Sequence, residues 1–340
     1  MLPASLGPAL LCLLPALCFL TALYYLDSYK LVHPGLLMAV MAAGIVAAAL
    51  GYLVNRGLLA HWPFERAAYP RYVSPVLEEL LKGSIIAWLI WRHRIGFLID
   101  AAILGFAVGC GFALTENQYV LWQIPNAVMS TWIVRGFGTA IMHGGATAVV
   151  AVVALAVIEG DEHDERHAAL AALPGVLAAM ALHSAFNHLA GSPRAATLFV
   201  LIAVPALLLL AFHRAERTLG DWLEHGLDAD AHMLELVHSG RLSQSPVGRY
   251  LTSLKKRFHG PVVADLLCYL GLFSELALRA KGLAIMRENG FEPAIDAETR
   301  AKFTELRYLE QSIGRTALLA LHPLLPMRRK ALSQIYRLGD

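Results

Sequence analysis

The sequence predicts an all-α protein: a polytopic transmembrane helix bundle of about seven spans, followed by a C-terminal helical soluble domain. Three observations carry this expectation. The chain is 57% hydrophobic and only 16% charged, with a mean hydropathy of +0.55, whereas ordinary soluble domains carry about 25% charged residues. The charge is unevenly placed, because residues 1–213 hold only 10 of the 28 Lys and Arg and 11 of the 26 Asp and Glu. Apolar stretches long enough to cross a bilayer, about 20 residues each, recur through that same portion. The chain therefore divides into a membrane body, 1–213, and a polar tail, 214–340. This composition excludes a secreted disulfide scaffold, a disordered chain and a soluble nucleic-acid binder, and the net charge of +2 gives no reason to expect a polyanionic partner. Cys12, Cys18, Cys110 and Cys268 show no CxxC spacing and read as small packing residues.

The expected spans are 5–25, 32–54, 75–92, 97–122, 131–158, 168–190 and 195–213. The first lacks a basic leader and outruns a signal-peptide core before Tyr24, Tyr25 and Asp27 close it, so it reads as a retained anchor. Basic residues in short loops set the orientation. Lys30, Arg92, Arg94, Arg166, Arg214 and Arg217 fall on one side and Arg56, Arg66, Arg71 and Arg194 on the other, which places the N-terminus outside and the C-terminus in the cytoplasm. His61 to Tyr72 mixes aromatics with arginines as a membrane-surface belt does. The acidic loop Glu159 to Arg166, with His163 and the adjoining His167, could be taken for a metal patch but reads as a solvated loop, since nothing fixes ligand geometry there. The tail has helical periodicity, punctuated at Gly260-Pro261 and at 290–293, and no motif that carries chemistry.

An ionisable side chain at mid-bilayer costs at least about 2.5–3.5 kcal/mol on insertion scales, so each one needs a partner or a use. The third span carries Glu78, Glu79 and Lys82, with the lysine within reach of either carboxylate at helical spacing. That segment alone reads equally well as a structural ion pair with a spare glutamate or as a general base held by its neighbour. The fourth span carries Glu116 and Asn117 after a run of glycines, and the fifth carries Arg135, Thr139, His143 and Thr147 as one ridge. The sixth places His183 and Asn187 on one face. Antiparallel threading brings Glu78, Glu79, Glu116, His143 and His183 to one depth in one half of the bilayer, the outer half in this orientation. Asp100 falls at the opposite end and reads as an interfacial carboxylate near Arg92 and Arg94.

Glu78-Glu79-x-x-Lys82, the run Gly111-Phe112-Ala113-Leu114-Thr115-Glu116-Asn117, His143 eight residues after Arg135, and His183-x-x-x-Asn187 together resemble the PrsW family of intramembrane proteases. That family looks like a branch of the CAAX-protease and bacteriocin-processing group, the glutamic intramembrane proteases. The resemblance covers about 70–190. In CAAX relatives the basic residue lies one place further along and a histidine occupies the region of Glu116, so no prenyl-protein specificity is implied. The resemblance implies an enzyme of the bacterial inner membrane that hydrolyses a peptide bond of a membrane-protein substrate, such as a single-span anti-sigma factor, near the outer face of the bilayer. It makes one of Glu78 and Glu79 the general base, with Lys82 orienting the pair and Glu116 a further carboxylate of the pocket. His143 and His183 then serve the oxyanion or the leaving amine, and Asn187 completes the oxyanion hole. No cofactor is expected on this reading. Two others stand beside it: a zinc metalloprotease built from the same glutamates and histidines, and a proton-coupled transporter or receptor. The latter predicts paired, broken halves, of which the sequence has no trace. Oligomeric state and the role of the tail are left open.

Overall fold

The computed structural model describes residues 6–65, 68–160, 168–188, 192–291, 293–325 and 328–338. The acidic loop at 161–167 and Arg66 of the surface belt lie outside the described residues. The described chain is helical without strands, and it forms two compact units, Met1–Ala215 and Glu216–Asp340.

The first unit contains α1 (Leu6–Leu26), α2 (Pro34–His61), α3 (Ser74–Trp91), α4 (Leu98–Gln123), α5 (Met129–Ile158), α6 (Ala168–His188) and the first part of α7 (Pro193–His238). Local chemistry sets their ends. Lys30 closes α1 by donating to the carbonyls of Tyr24 at 3.4 Å and Tyr25 at 3.2 Å, which satisfies carbonyls that the last turn leaves open. Pro34 opens α2 in the first turn, and the His33 ring accepts from the Gly35 amide. Asp100, at the start of α4, is fully buried within the protein; its Oδ2 accepts from the amides of Gly96 and Phe97 at 3.1 Å each and so holds that end of the helix.

α4 is the central helix, with every residue from Leu98 to Ala113 buried. Glycines allow this. A Cβ on Gly109 would lie 2.2 Å from the His143 carbonyl oxygen, and one on Gly111 would lie 2.1 Å from that of Met41, so α5 and α2 touch α4 backbone to backbone. Inside α5, Val134–Ala140 is π-helical, and π-bulges of this kind often mark functional sites.

Seven described helices are long and apolar enough to cross a membrane, and the protein is an integral multi-pass membrane protein. They are not the seven that the sequence predicts. α3 is not among them, because Glu78, Glu79 and Lys82 fall within its 18 residues. In its place stands α9 (Gly260–Glu288) of the second unit, which was expected to be a tail helix. Length and composition admit α9, yet its charges pair with other tail helices: Lys281 with Asp230, Arg279 with Asp296, and Glu275 with Lys302. Hydrocarbon offers no such partners. We therefore read α9 as the core helix of the tail, where Leu266, Tyr269, Leu270 and Phe273 pack with Leu306 and Ile335. The remaining tail helices are α8 (Pro246–Leu254), α10 (Ala297–Ile313), α11 (Arg315–Leu319) and α12 (Arg328–Leu338).

Candidate active site

Four helices of the first unit deliver polar side chains to one cavity of about 480 Å³, which Glu78, Glu116, Arg135, His143, His183 and Asn187 help to line. Its chemistry is organised by what each carboxylate holds. Glu79 is wholly buried, and its Oε1 accepts both from Lys82 Nζ at 2.7 Å and from His183 Nδ1 at 2.8 Å. Lys82, also wholly buried, sits 4.9 Å from the centre of the Phe112 ring and lies 3.1 Å from His143 Nδ1. His143 Nε2 meets Glu116 Oε2 at 2.8 Å, and Glu116 Oε1 accepts from Arg135 at 2.9 Å.

An ionised carboxylate only accepts, which fixes the histidine tautomers. His143 carries its proton on Nε2 toward Glu116, so Nδ1 accepts from Lys82. His183 carries a proton on Nδ1 toward Glu79, and its Nε2 is the imidazole nitrogen left for the cavity. The two rings stand edge to face with centroids 4.8 Å apart.

Glu78 differs from its neighbour. Among the described residues no cation contacts it within ion-pairing distance; instead the Ser74 hydroxyl, one turn earlier, donates to its Oε1 at 2.5 Å. One oxygen of Glu78 and one ring nitrogen each of His143 and His183 lie within 4.8 Å of one another. Glu79 is ion-paired with Lys82 and Glu116 with Arg135; Glu78 has no such pair among the described residues, and Arg71 also lines the cavity.

The rim is tied as tightly as the floor. Tyr69–Val73 is a π-helical turn leading into α3, and α6 satisfies its carbonyls: Asn187 Nδ2 donates to Pro70 O at 2.7 Å, and Ser184 Oγ donates to Arg71 O at 2.6 Å. Asn117, behind Glu116, accepts from Arg135 Nε at 2.8 Å and donates to the Cys12 carbonyl of α1 at 2.7 Å.

A model of the PrsW family intramembrane metalloprotease matches residues 32–210. The chain belongs to the PrsW family. Neither a curated protein nor a solved structure matches it.

For this PrsW protein, Glu78, Glu79, Lys82, Glu116, His143, His183 and Asn187 all reach the cluster, though not always as expected. Lys82 pairs with Glu79 and not with Glu78. Both nitrogens of His143 are already engaged, and one N–H of Asn187 is held by Pro70. Sequence reasoning missed Ser74 as the partner of Glu78, Phe112 beneath Lys82, and Arg135 as the clamp on Glu116. A serine exactly one turn before Glu78 was the available signal for the first. The π-helical stretch that sets the phase of Arg135 relative to His143 has no comparable signal, because π geometry depends on the helices packed around it.

Proposed function

We propose that this chain cleaves a membrane-protein substrate at the cavity beneath Tyr69–Val73, using a water that Glu78 positions and deprotonates. The observation that carries the reading is the division of labour between adjacent glutamates. Glu79 is spent on Lys82 and His183, whereas Glu78 lines the cavity with no cation on it. A carboxylate that keeps its proton affinity in a low-dielectric site is suited to general-base work. The water oxygen attacks the scissile carbonyl carbon as its proton passes to Glu78. Collapse breaks the C–N bond as the proton taken up by Glu78 passes to the leaving amine, relayed by His183 Nε2 on the ring that Glu79 orients. The second N–H of Asn187 and the positive edge of Arg135 face the carbonyl oxygen as charge develops there. Helices α4 and α5 hold Glu116 and His143 so that Lys82 stays fixed.

A second reading has its own support. Glu78, His143 and His183 form a donor set that suits zinc, and carboxylates on the far ring nitrogens, Glu79 on His183 and Glu116 on His143, are what metal-binding histidines ordinarily have. When bound, such an ion would polarise the scissile carbonyl and acidify water. Lys82 Nζ competes for this use, since it occupies His143 Nδ1 at 3.1 Å.

We further propose that the substrate is a single-span protein such as an anti-sigma factor, cut near the outer face of a bacterial inner membrane, with residues 214–340 in the cytoplasm. The test is elemental analysis of the purified protein together with cleavage of a membrane-spanning reporter, with and without chelator. Chelator-resistant cleavage by zinc-free protein, lost in Glu78→Gln, supports the glutamate reading. Stoichiometric zinc with chelator-sensitive cleavage moves the same residues to the ligand role. No cleavage under either condition overturns both.

A further inference from the structure

The second unit, taken by itself, contains a cavity of about 340 Å³ that proteolysis does not use, within the roughly 300–1,000 Å³ range of small-molecule sites. Its walls include Trp222, Met233, Val247, Phe273 and Leu324. At the polar end Lys281, only 2% exposed, donates to Asp230 Oδ2 at 2.5 Å and lies 4.9 Å from the centre of the Trp222 ring. Room for that ammonium is built in: a Cβ on Gly226 would fall 2.7 Å from Lys281 Nζ.

Two donors on the cavity lining are unspent. Ser274, 1% exposed, has a buried Oγ without a hydrogen-bond partner among the described residues, although a mid-helix serine ordinarily turns back to its own backbone. Lys281 has three N–H bonds and one hydrogen-bonded partner among the described residues. An unpaired buried donor is costly, so the arrangement calls for an acceptor atom. The ion pair is already neutral, and an incoming carboxylate would sit beside Asp230 and be repelled.

We propose that this cavity binds an uncharged, largely apolar small molecule through one acceptor oxygen, a carbonyl or hydroxyl, received by Lys281 and Ser274. The acceptor fills the unspent donors, and the aromatic walls take the apolar body.

The experiment is calorimetric titration of the full chain in lipid nanodiscs, blanked against empty nanodiscs, with 3-phenylpropionamide and its charged counterpart 3-phenylpropionate. The expected result is saturable binding at one site per chain, with the amide about tenfold tighter, as one hydrogen bond to a charged donor without like-charge repulsion implies. Ser274→Ala removes an unpaired hydroxyl, leaves the fold alone and weakens the amide several-fold. Ala229→Trp, at an exposed position on the lining, blocks the cavity and abolishes binding. Absence of saturable binding, or unchanged binding in Ala229→Trp, overturns the site. Equal or tighter binding of the carboxylate overturns the assigned ligand class.

Discussion

Gly109→Ala is the sharpest probe of how the fold holds the catalytic groups, because it changes no polar atom. The added Cβ would fall 2.2 Å from the His143 carbonyl oxygen and 2.6 Å from its carbon, both rigid backbone. Ordinary contacts begin near 3.4 Å, so α4 and α5 must part by about 1.2 Å. That displacement moves His143 away from Glu116 and Lys82, whose contacts at 2.8 and 3.1 Å have little slack before they cease to be hydrogen bonds. A misplacement of about 1 Å costs roughly 100-fold in rate, and overpacking costs about 1–3 kcal/mol of stability. The assay is cleavage of a membrane-spanning reporter by equal amounts of folded protein in nanodiscs, with Gly57→Ala, which meets nothing within 4 Å, as control. Cleavage by Gly109→Ala within threefold of the parent would refute the claim that backbone contact between α4 and α5 sets the site.

Other expectations follow from the same geometry. Lys82→Met leaves the buried Glu79 carboxylate without its ion pair and should destabilise the fold by about 3–5 kcal/mol; adding Glu79→Gln should restore most of the thermal stability but not cleavage. Arg135→Gln should lower kcat by at least tenfold with little change in expression, since it frees Glu116 from its clamp and removes charge from the cavity edge; steady-state kinetics on the reporter decide it. In the tail, Asp296 caps α10 by accepting from the Thr299 amide at 2.7 Å, and that bond holds its carboxyl below the usual carboxylate range. A depressed folded-state pKa gives stability that is complete above the unfolded value near 4 and fades as pH falls further. Protection from hydrogen exchange at the first turn of α10, relative to the intrinsic rate, should therefore fall as the pH drops below about 4 in the parent, and be low throughout in Asp296→Ala.

The convergence of the site was legible in the sequence because charge in hydrocarbon is conspicuous, and antiparallel threading fixes depth from chain position alone. Glu78, Glu79, Glu116, His143 and His183 were found this way. The choice between Glu78 and Glu79 was not legible. Lys82 lies within helical reach of both, and the choice is made by His183 arriving from α6 and the Ser74 hydroxyl one turn before. A bare test of length and composition sets α3 aside and admits α9 for a related reason. The charges that make α3 a poor lone span are the ones its neighbours satisfy, while α9 is apolar enough for lipid and spends its length burying the tail's core. The cap that Asp100 forms was not legible either, because its partners, the amides of Gly96 and Phe97, are backbone groups that no residue type announces.

The most direct test of the central claim is cleavage of the reporter in water enriched in oxygen-18 by the parent, Glu78→Gln and Glu79→Gln, with the product mass read for isotope and the folded fraction read for each protein. The account predicts one heavy oxygen in the new C-terminal carboxylate of the parent product and no product from Glu78→Gln, which keeps its fold because Ser74 can still donate to the amide oxygen. Glu79→Gln should lose stability along with activity. Undiminished cleavage by Glu78→Gln, or product without heavy oxygen, would contradict it.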